Sequence, residues 1–391
     1  MSASPQPLLA VAVTVTAALT LFPGTAGAAT APNPGSVIGD TFELKHVETA
    51  ADEILAGPAT GVSIAIVKPG PTGSRTTTYY FGEYQPGKQV GPDTQFEIGS
   101  ETKVFTGALL ELAVRNGLVS LDDPVSTFIP APHRAPTFPG ARAMTLRDLA
   151  THRSGLPDIP PGYNPKDEYT VEKLWEGLDN ETLTTAPGAT WLYSDWGFGL
   201  LGTILAEIFV PGQPEPQFAQ AVRENLTGPL GMSATQIEEK TENLAIPYAE
   251  IDKSTDYWFN TAAMAGGGGL ISNADDMATW AATTMGIGDS PLSQTLPNTL
   301  FPIADGKANT DMQMGMAWQL FSSPYSYAYK DGATNGCTTV TYLVPESNWA
   351  VTILDNGNDT ASDTVTERMG RQLTDQLSQR TGLGLGSSYT S

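Results

Sequence analysis

Cysteine is almost absent from this chain. Its 391 residues include one, Cys337, so no intramolecular disulfide can form, and a lone thiol reads as a packed apolar side chain rather than a nucleophile. Histidine is nearly as scarce. His46, His133 and His152 form no His-x-x-x-His or Cys-His pattern, so no metal site is expected. Basic residues are outnumbered, 20 Lys and Arg against 42 Asp and Glu, for a net charge of −22. Acidity spread along the chain keeps a protein in solution and repels nucleic acid and anionic membrane, so nucleic-acid binding is excluded. No Gly-x-Ser-x-Gly elbow occurs, which argues against a Ser-His-Asp hydrolase built on that turn.

Long hydrophobic runs are missing too, save one. Leu8 to Leu21 is unbroken by charge yet too short for a comfortable membrane span. Ala26-Gly27-Ala28 follows it as a small-x-small cleavage pattern. Residues 1–28 therefore read as a secretory signal peptide, although no Lys or Arg precedes Leu8. A secreted, extracellular protein with no membrane span in the mature chain is expected. Residues 29–42 form a Pro/Gly/Ala linker and 382–391 a flexible Gly/Ser tail.

What remains is a globular composition, 40% hydrophobic and 16% charged. Residues 41–56 read as a helix, and Gly61–Val67 and Thr76–Tyr84 as strands joined by a Pro/Gly turn. Helical patterns and loops dominate from Val104 to Pro297. They include 171–178, 197–209, 217–226 and a helix capped by Ser272-Asn273. The run from Ala265 to Leu270 reads as backbone needing unusual dihedrals. Strand patterns return at 315–321, 340–344 and 350–354, and 364–379 closes the chain as an amphipathic helix. The expected fold is α+β: an antiparallel sheet flanked by helices and built from both chain ends, about 43–103 and 300–381. A mostly helical lobe, about 104–299, is inserted into it, and the whole forms one domain over 43–381.

Three stretches carry chemistry. Phe96 to Gly117 reads as a turn into an amphipathic helix, with Ser100 at its start and Lys103 one turn on along the same face. A serine hydroxyl needs a neighbour to take its proton, and a desolvated lysine can do so. Chance Ser-x-x-Lys matches on solvated helices are common, but this is the only one in the chain. In Trp191-Leu192-Tyr193-Ser194-Asp195-Trp196, core packing explains the aromatics. The functional reading gives Tyr193 a phenol that a nearby ammonium helps ionise into a general base. In Lys330-Asp331-Gly332-Ala333, a solvated turn competes with a lysine at a strand edge that neutralises an anion, with Gly332 admitting substrate backbone.

In this order the three stretches resemble the Ser-x-x-Lys, Tyr-centred and Lys-x-Gly motifs of the serine β-lactamase and penicillin-binding superfamily. The likeness is greatest to class C β-lactamases and the related D-alanyl-D-alanine carboxypeptidase/endopeptidases. It extends over roughly 43–380, including Thr151-His152-Arg153-Ser154-Gly155-Leu156-Pro157 and Pro229-Leu230-Gly231-Met232. The resemblance implies an acyl-enzyme on Ser100, proton transfer shared by Lys103 and Tyr193, and Lys330 holding the Tyr193 charge or a substrate anion. It implies an oxyanion hole from the Ser100 and Ala333 amides, and no cofactor. His152 is expected to be structural. Asp195 and Asp331 stand where the family usually has Asn and Thr or Ser, at positions that hold substrate. The substrate is expected to be a small molecule or peptide, peptidoglycan-derived by family default. The rivals are an esterase, amidase or acyltransferase on a neutral acyl compound, and a non-catalytic penicillin-binding-like protein, which the intact Ser100, Lys103, Tyr193 and Lys330 disfavour.

Overall fold

The structure, a computed structural model, describes residues 40–380 apart from 71–72, 165–167, 214–216, 238–240, 259–261 and 359–363. The expected signal peptide, most of the linker and the tail lie outside the described residues. The first helix, α1 (Asp40–Leu55), leads into β1 (Gly61–Gly70), β2 (Gly73–Gln85) and the two-residue β3 (Lys88–Gln89). Six more strands come from the other end of the chain: β4 (Ala304–Asp305), β5 (Gln313–Met314), β6 (Gln319–Phe321), β7 (Tyr327–Ala333), β8 (Thr338–Val344) and β9 (Trp349–Asp355). Together they make one antiparallel sheet in the order β3-β2-β1-β9-β8-β7-β6-β5-β4. The fold is α+β, and the seam between the chain's two ends is the β1–β9 pair, with Ile64 opposite Ile353.

Both faces of the sheet are covered, which is why β1, β8 and β9 read as nearly continuous apolar and threonine runs rather than strict alternation. On one face, Val47, Ala51 and Ile54 of α1 and Met369, Leu373 and Leu377 of the closing helix α5 (Val365–Arg380) pack on Ile64, Val340 and Ile353. A buried ion pair, Lys68 Nζ to Glu43 at 2.6 Å, ties α1 to β1. The opposite face holds the larger core, shared with α2 (Thr102–Arg115), α3 (Asp195–Phe209) and α4 (Ala274–Thr284). There Phe105 of α2 stacks on Trp280 of α4, with centroids 4.0 Å apart.

The structure departs from the sequence expectations in three places. Ser100 does not open the helix; it lies in a 3-10 turn, Gly99–Glu101, that feeds α2. The strand expected over 315–321 is confined to Gln319–Phe321, because Gly315 N–H bonds back to Trp318 and Ala317 takes a left-handed φ of 70°. The glycine run needs no unusual dihedrals, since Ala265–Gly268 is a short helix and Gly266–Gly269 all have negative φ. These glycines are there for closeness. A Cβ on Gly266 would lie 2.7 Å from the Phe198 carbonyl oxygen and 2.8 Å from Gly202 Cα, so the run can press against α3 only without side chains.

Cys337 is fully buried and free, and burial pushes its thiol well above the ordinary value. No described helix is long and apolar enough to cross a membrane. The close packing at Gly266 makes a prediction. Gly266→Ala should destabilise the protein by about 1–3 kcal/mol through overpacking, read as a lower urea midpoint with an unchanged m-value.

Candidate active site

Three pieces of chain, far apart in sequence, meet at the junction between the sheet and the helices. The first is the turn carrying Ser100. It is held from both sides: Phe96–Glu97 pairs with Ile271–Ser272, Ile98 N–H bonds to Leu270 O at 3.1 Å, and Leu270 N–H bonds to Thr102 Oγ1 at 3.1 Å. Gly99 takes a positive φ of 48°, and a Cβ there would lie 2.8 Å from the Ala333 nitrogen. Glycine thus lets the Ser100 turn sit directly against the end of β7. Gly332 serves the same contact, since its Cβ would lie 2.0 Å from Ile98 O. What comes close to Gly332 in the structure is the protein's own backbone.

The second piece enters α3. Ser194 caps that helix by accepting from Gly197 N–H at 2.9 Å, and donates to Pro157 O at 2.7 Å. Its own N–H donates to His152 Nδ1 at 3.1 Å. An acceptor Nδ1 places the ring proton on Nε2 of a neutral imidazole. Burial, reinforced by Lys103 and Lys330, holds His152 well below its ordinary value, in keeping with that form. The His152 ring lies on Tyr193, with centroids 4.4 Å apart and planes 29° from parallel. His152 therefore touches both Tyr193 and the Ser194 backbone. The third piece is β7, where Lys330 is buried and its Nζ donates to Asp331 O at 2.6 Å and Asp331 Oδ1 at 3.0 Å.

At the centre stands Ser100 Oγ, 2.9 Å from Lys103 Nζ and accepting from Tyr193 O–H at 2.6 Å. Lys103 is wholly buried, and its Nζ also donates to Asp195 Oδ1 at 2.5 Å and Gly267 O at 2.6 Å. The last two are acceptors only, so they occupy two N–H groups. In a neutral amine the remaining position, facing Ser100, is the lone pair. Burial lowers the Lys103 pKa, and Lys330 adds to this, while Asp195 favours the ammonium. Burial pushes the Tyr193 phenol well above its ordinary value, and Asp195 and then Asp331 push it further. That direction favours the protonated phenol, the form that donates to Ser100 Oγ. Lys330 Nζ lies 5.7 Å from the Tyr193 ring centroid.

The motif residues Ser100, Lys103, Tyr193, Asp195 and Lys330 come together, with Asp331, Gly332 and Ala333 along the adjoining strand. Two carboxyls lie behind them that the sequence reading did not single out, though both flank Ser100 in sequence. Glu101 is fully buried, accepts from Thr341 Oγ1 at 2.7 Å and leaves Oε1 without a partner; burial raises its pKa to about 8. Glu97 accepts from Thr334 Oγ1 at 2.7 Å, and burial raises it to about 7. Among the described residues no cluster of side chains could hold a metal ion.

Comparison with known proteins places this geometry. The β-lactamase family pattern matches residues 47–376. The chain belongs to the β-lactamase family. Among curated members it is 34% identical over 247 residues to the D-alanyl-D-alanine-carboxypeptidase/endopeptidase AmpH of Escherichia coli K12, a match spanning 61% of each chain. It is 23% identical over 358 residues to Protein flp of Staphylococcus aureus MW2, covering 86% of this chain and 68% of that one. A solved β-lactamase/D-alanine carboxypeptidase from Yersinia pestis superposes with a TM-score of 0.73 at 24% identity, covering 87% of this chain and 99% of that one. A class C β-lactamase from Rhodobacter sphaeroides gives 0.70 at 23% identity, covering 85% and 99%. These two structures show the shared family fold.

The raised carboxyls of this β-lactamase-family chain give a pH prediction. From an ordinary value of 4.5, Glu97 rises to about 7 and Glu101 to about 8 in the folded protein. Between those limits the folded state keeps protons that the unfolded chain has lost, so stability falls as pH rises from 4.5 through 8. The loss is on the order of 3 kcal/mol for Glu97 and 5 kcal/mol for Glu101. Urea unfolding at pH 5, 7 and 8.5 should show this slope, and Glu101→Gln should flatten it. An unchanged slope in the variant would place the titration elsewhere.

Proposed function

We propose that this protein is a secreted serine hydrolase that opens an amide or ester bond through an acyl-enzyme on Ser100. The single observation that carries the reading is Ser100 Oγ held between Lys103 Nζ at 2.9 Å and Tyr193 Oη at 2.6 Å. Ser100 Oγ attacks the carbonyl carbon and passes its proton to the Lys103 amine, whose new positive charge Asp195 stabilises. The Ser100 and Ala333 amides meet the developing oxyanion. The Tyr193 phenol, kept protonated by burial and two carboxylates, donates to the leaving group as the tetrahedral intermediate collapses, and recovers its proton from Lys103. Water then attacks the acyl-enzyme with the same groups working in reverse. Lys330 offsets negative charge beside Tyr193.

The substrate class starts from the relatives' names. AmpH is called a D-alanyl-D-alanine-carboxypeptidase/endopeptidase and the Yersinia pestis structure a β-lactamase/D-alanine carboxypeptidase. Peptides of D-amino acids, of the peptidoglycan type, are therefore the first substrates to offer this chain. With the AmpH match spanning 61% of that protein's length, the chemistry at Ser100 rests on the geometry above and only the substrate on the analogy.

Two outcomes test this. Ser100→Ala should lower turnover by roughly 10⁴-fold or more, and a fluorophosphonate should label the wild type on Ser100 by peptide mass spectrometry. An adduct elsewhere, or full activity in the variant, would remove the assignment. Export should yield a mature chain beginning just after Ala28, as intact mass of protein from culture medium would show; a cell-retained chain starting at Met1 would contradict it.

A further inference from the structure

Each lysine at the nucleophile is already matched by a carboxylate. Lys103 meets Asp195 Oδ1 at 2.5 Å, and Lys330 meets Asp331 Oδ1 at 3.0 Å. The lysine side chains are 0% and 1% exposed, while the two aspartates are 26% and 35% exposed. So the cations are shut away, and the carboxylates are what an incoming molecule reaches. In both aspartates the lysine takes Oδ1, and among the described residues no other side chain bonds Oδ2, although Asp331's own amide also meets its carboxyl. Gln319 Nε2 adds a long contact of 3.5 Å to Asp331 Oδ1, again leaving Oδ2. A third acid, Asp158, is exposed and touches the Asp195 amide through Oδ1 at 3.2 Å. Formally the four paired groups cancel, Asp158 leaves the cleft negative, and the whole chain carries −22.

We infer that the acyl donor carries an ammonium or a neutral hydrogen-bond donor, and not a carboxylate, on the part that lies beside Asp331 and Asp195. Each partly exposed carboxylate keeps acceptor capacity that an N–H can fill, and a carboxylate can only repel it. Asp331 lies two residues before Ala333, whose amide serves the oxyanion in the proposed reaction. A charge on the leaving group near the scissile bond therefore comes within a few ångströms of it. At such separations like charges cost roughly tenfold or more in affinity, and the penalty shrinks as salt is added. The inference rests on the acyl-enzyme reading. Within it, amidated, internal or amine-bearing peptide bonds are selected over bonds next to a free C-terminal carboxylate.

Three substrates that share one scissile bond test this. They are an N-acyl-D-Ala-D-Ala with a free carboxylate, its C-terminal amide, and its 2-aminoethylamide, which carries an ammonium. With the full chain, kcat/KM for the amide and the aminoethylamide should exceed that for the acid by roughly tenfold or more, and 0.5 M NaCl should narrow the gap. Asp331→Asn, or Asp331→Thr should the first variant fold poorly, should raise the acid-to-amide ratio by about the same factor. A preference for the acid, or a ratio unmoved by either variant, overturns the inference. So does failure to cleave any of the three while Ser100 still takes the fluorophosphonate. Loss of that labelling as well would instead count against the acyl-enzyme reading itself.

Discussion

One buried ammonium-or-amine organises this protein. Lys103 has no exposed surface and three polar neighbours, Ser100 Oγ, Asp195 Oδ1 and Gly267 O. A lysine without water must find partners or give up its proton. Here the partners come from the turn that feeds α2, from the start of α3 and from the glycine-rich helix after residue 264. Burying Lys103 correctly therefore demands that three segments, up to 164 residues apart, be docked within hydrogen-bond reach. Gly266 is part of that demand, because the Gly267 carbonyl reaches Nζ only if this short helix presses against α3 with no side chain between them.

The sheet supplies the second constraint. β7 ends where the Ser100 turn begins, and the contact is backbone on backbone: Gly99 against Ala333, Gly332 against Ile98. Such close approach holds the Ser100 turn against the end of β7 without help from any side chain. Behind it, Thr334, Thr339 and Thr341 donate hydroxyls to Glu97, the Ile98 carbonyl and Glu101. Acids buried this deeply prefer to stay protonated, which ties the rigidity of the site to pH. The nucleophile is thus fixed from below by neutral hydrogen bonds and from the side by a lysine of unsettled charge.

Electrostatics then separates what the site can do from what it can hold. Lys103 and Lys330 are surrounded, so their charge works inside the protein on Ser100, Tyr193 and Asp331. Outward, the same residues present aspartate. This outward charge is a property of two side chains and not of the fold.

Much of this was legible in the sequence. Apolar periodicity located α1, α3, α5 and the central strands, because each buries a face wide enough to leave a pattern. The strand-rich ends around a helical middle implied one sheet built from both ends of the chain. Ser-x-x-Lys, Tyr-x-Asp and Lys-x-Gly named the residues that meet, since proton transfer and charge neutralisation require those types. Spacing along a chain carries no information on distances between segments, so the rest belonged to tertiary structure alone. Only the fold decided that Asp195 pairs with Lys103, that burial raises the Tyr193 phenol, that His152 backs its ring, and that Glu101 is sealed from water. Only it showed that the glycines at 266 and 332 admit the protein's own backbone. Each is a matter of what lies within 3–5 Å across the core, where burial and a neighbour's charge set protonation, and neither is written in the order of the residues.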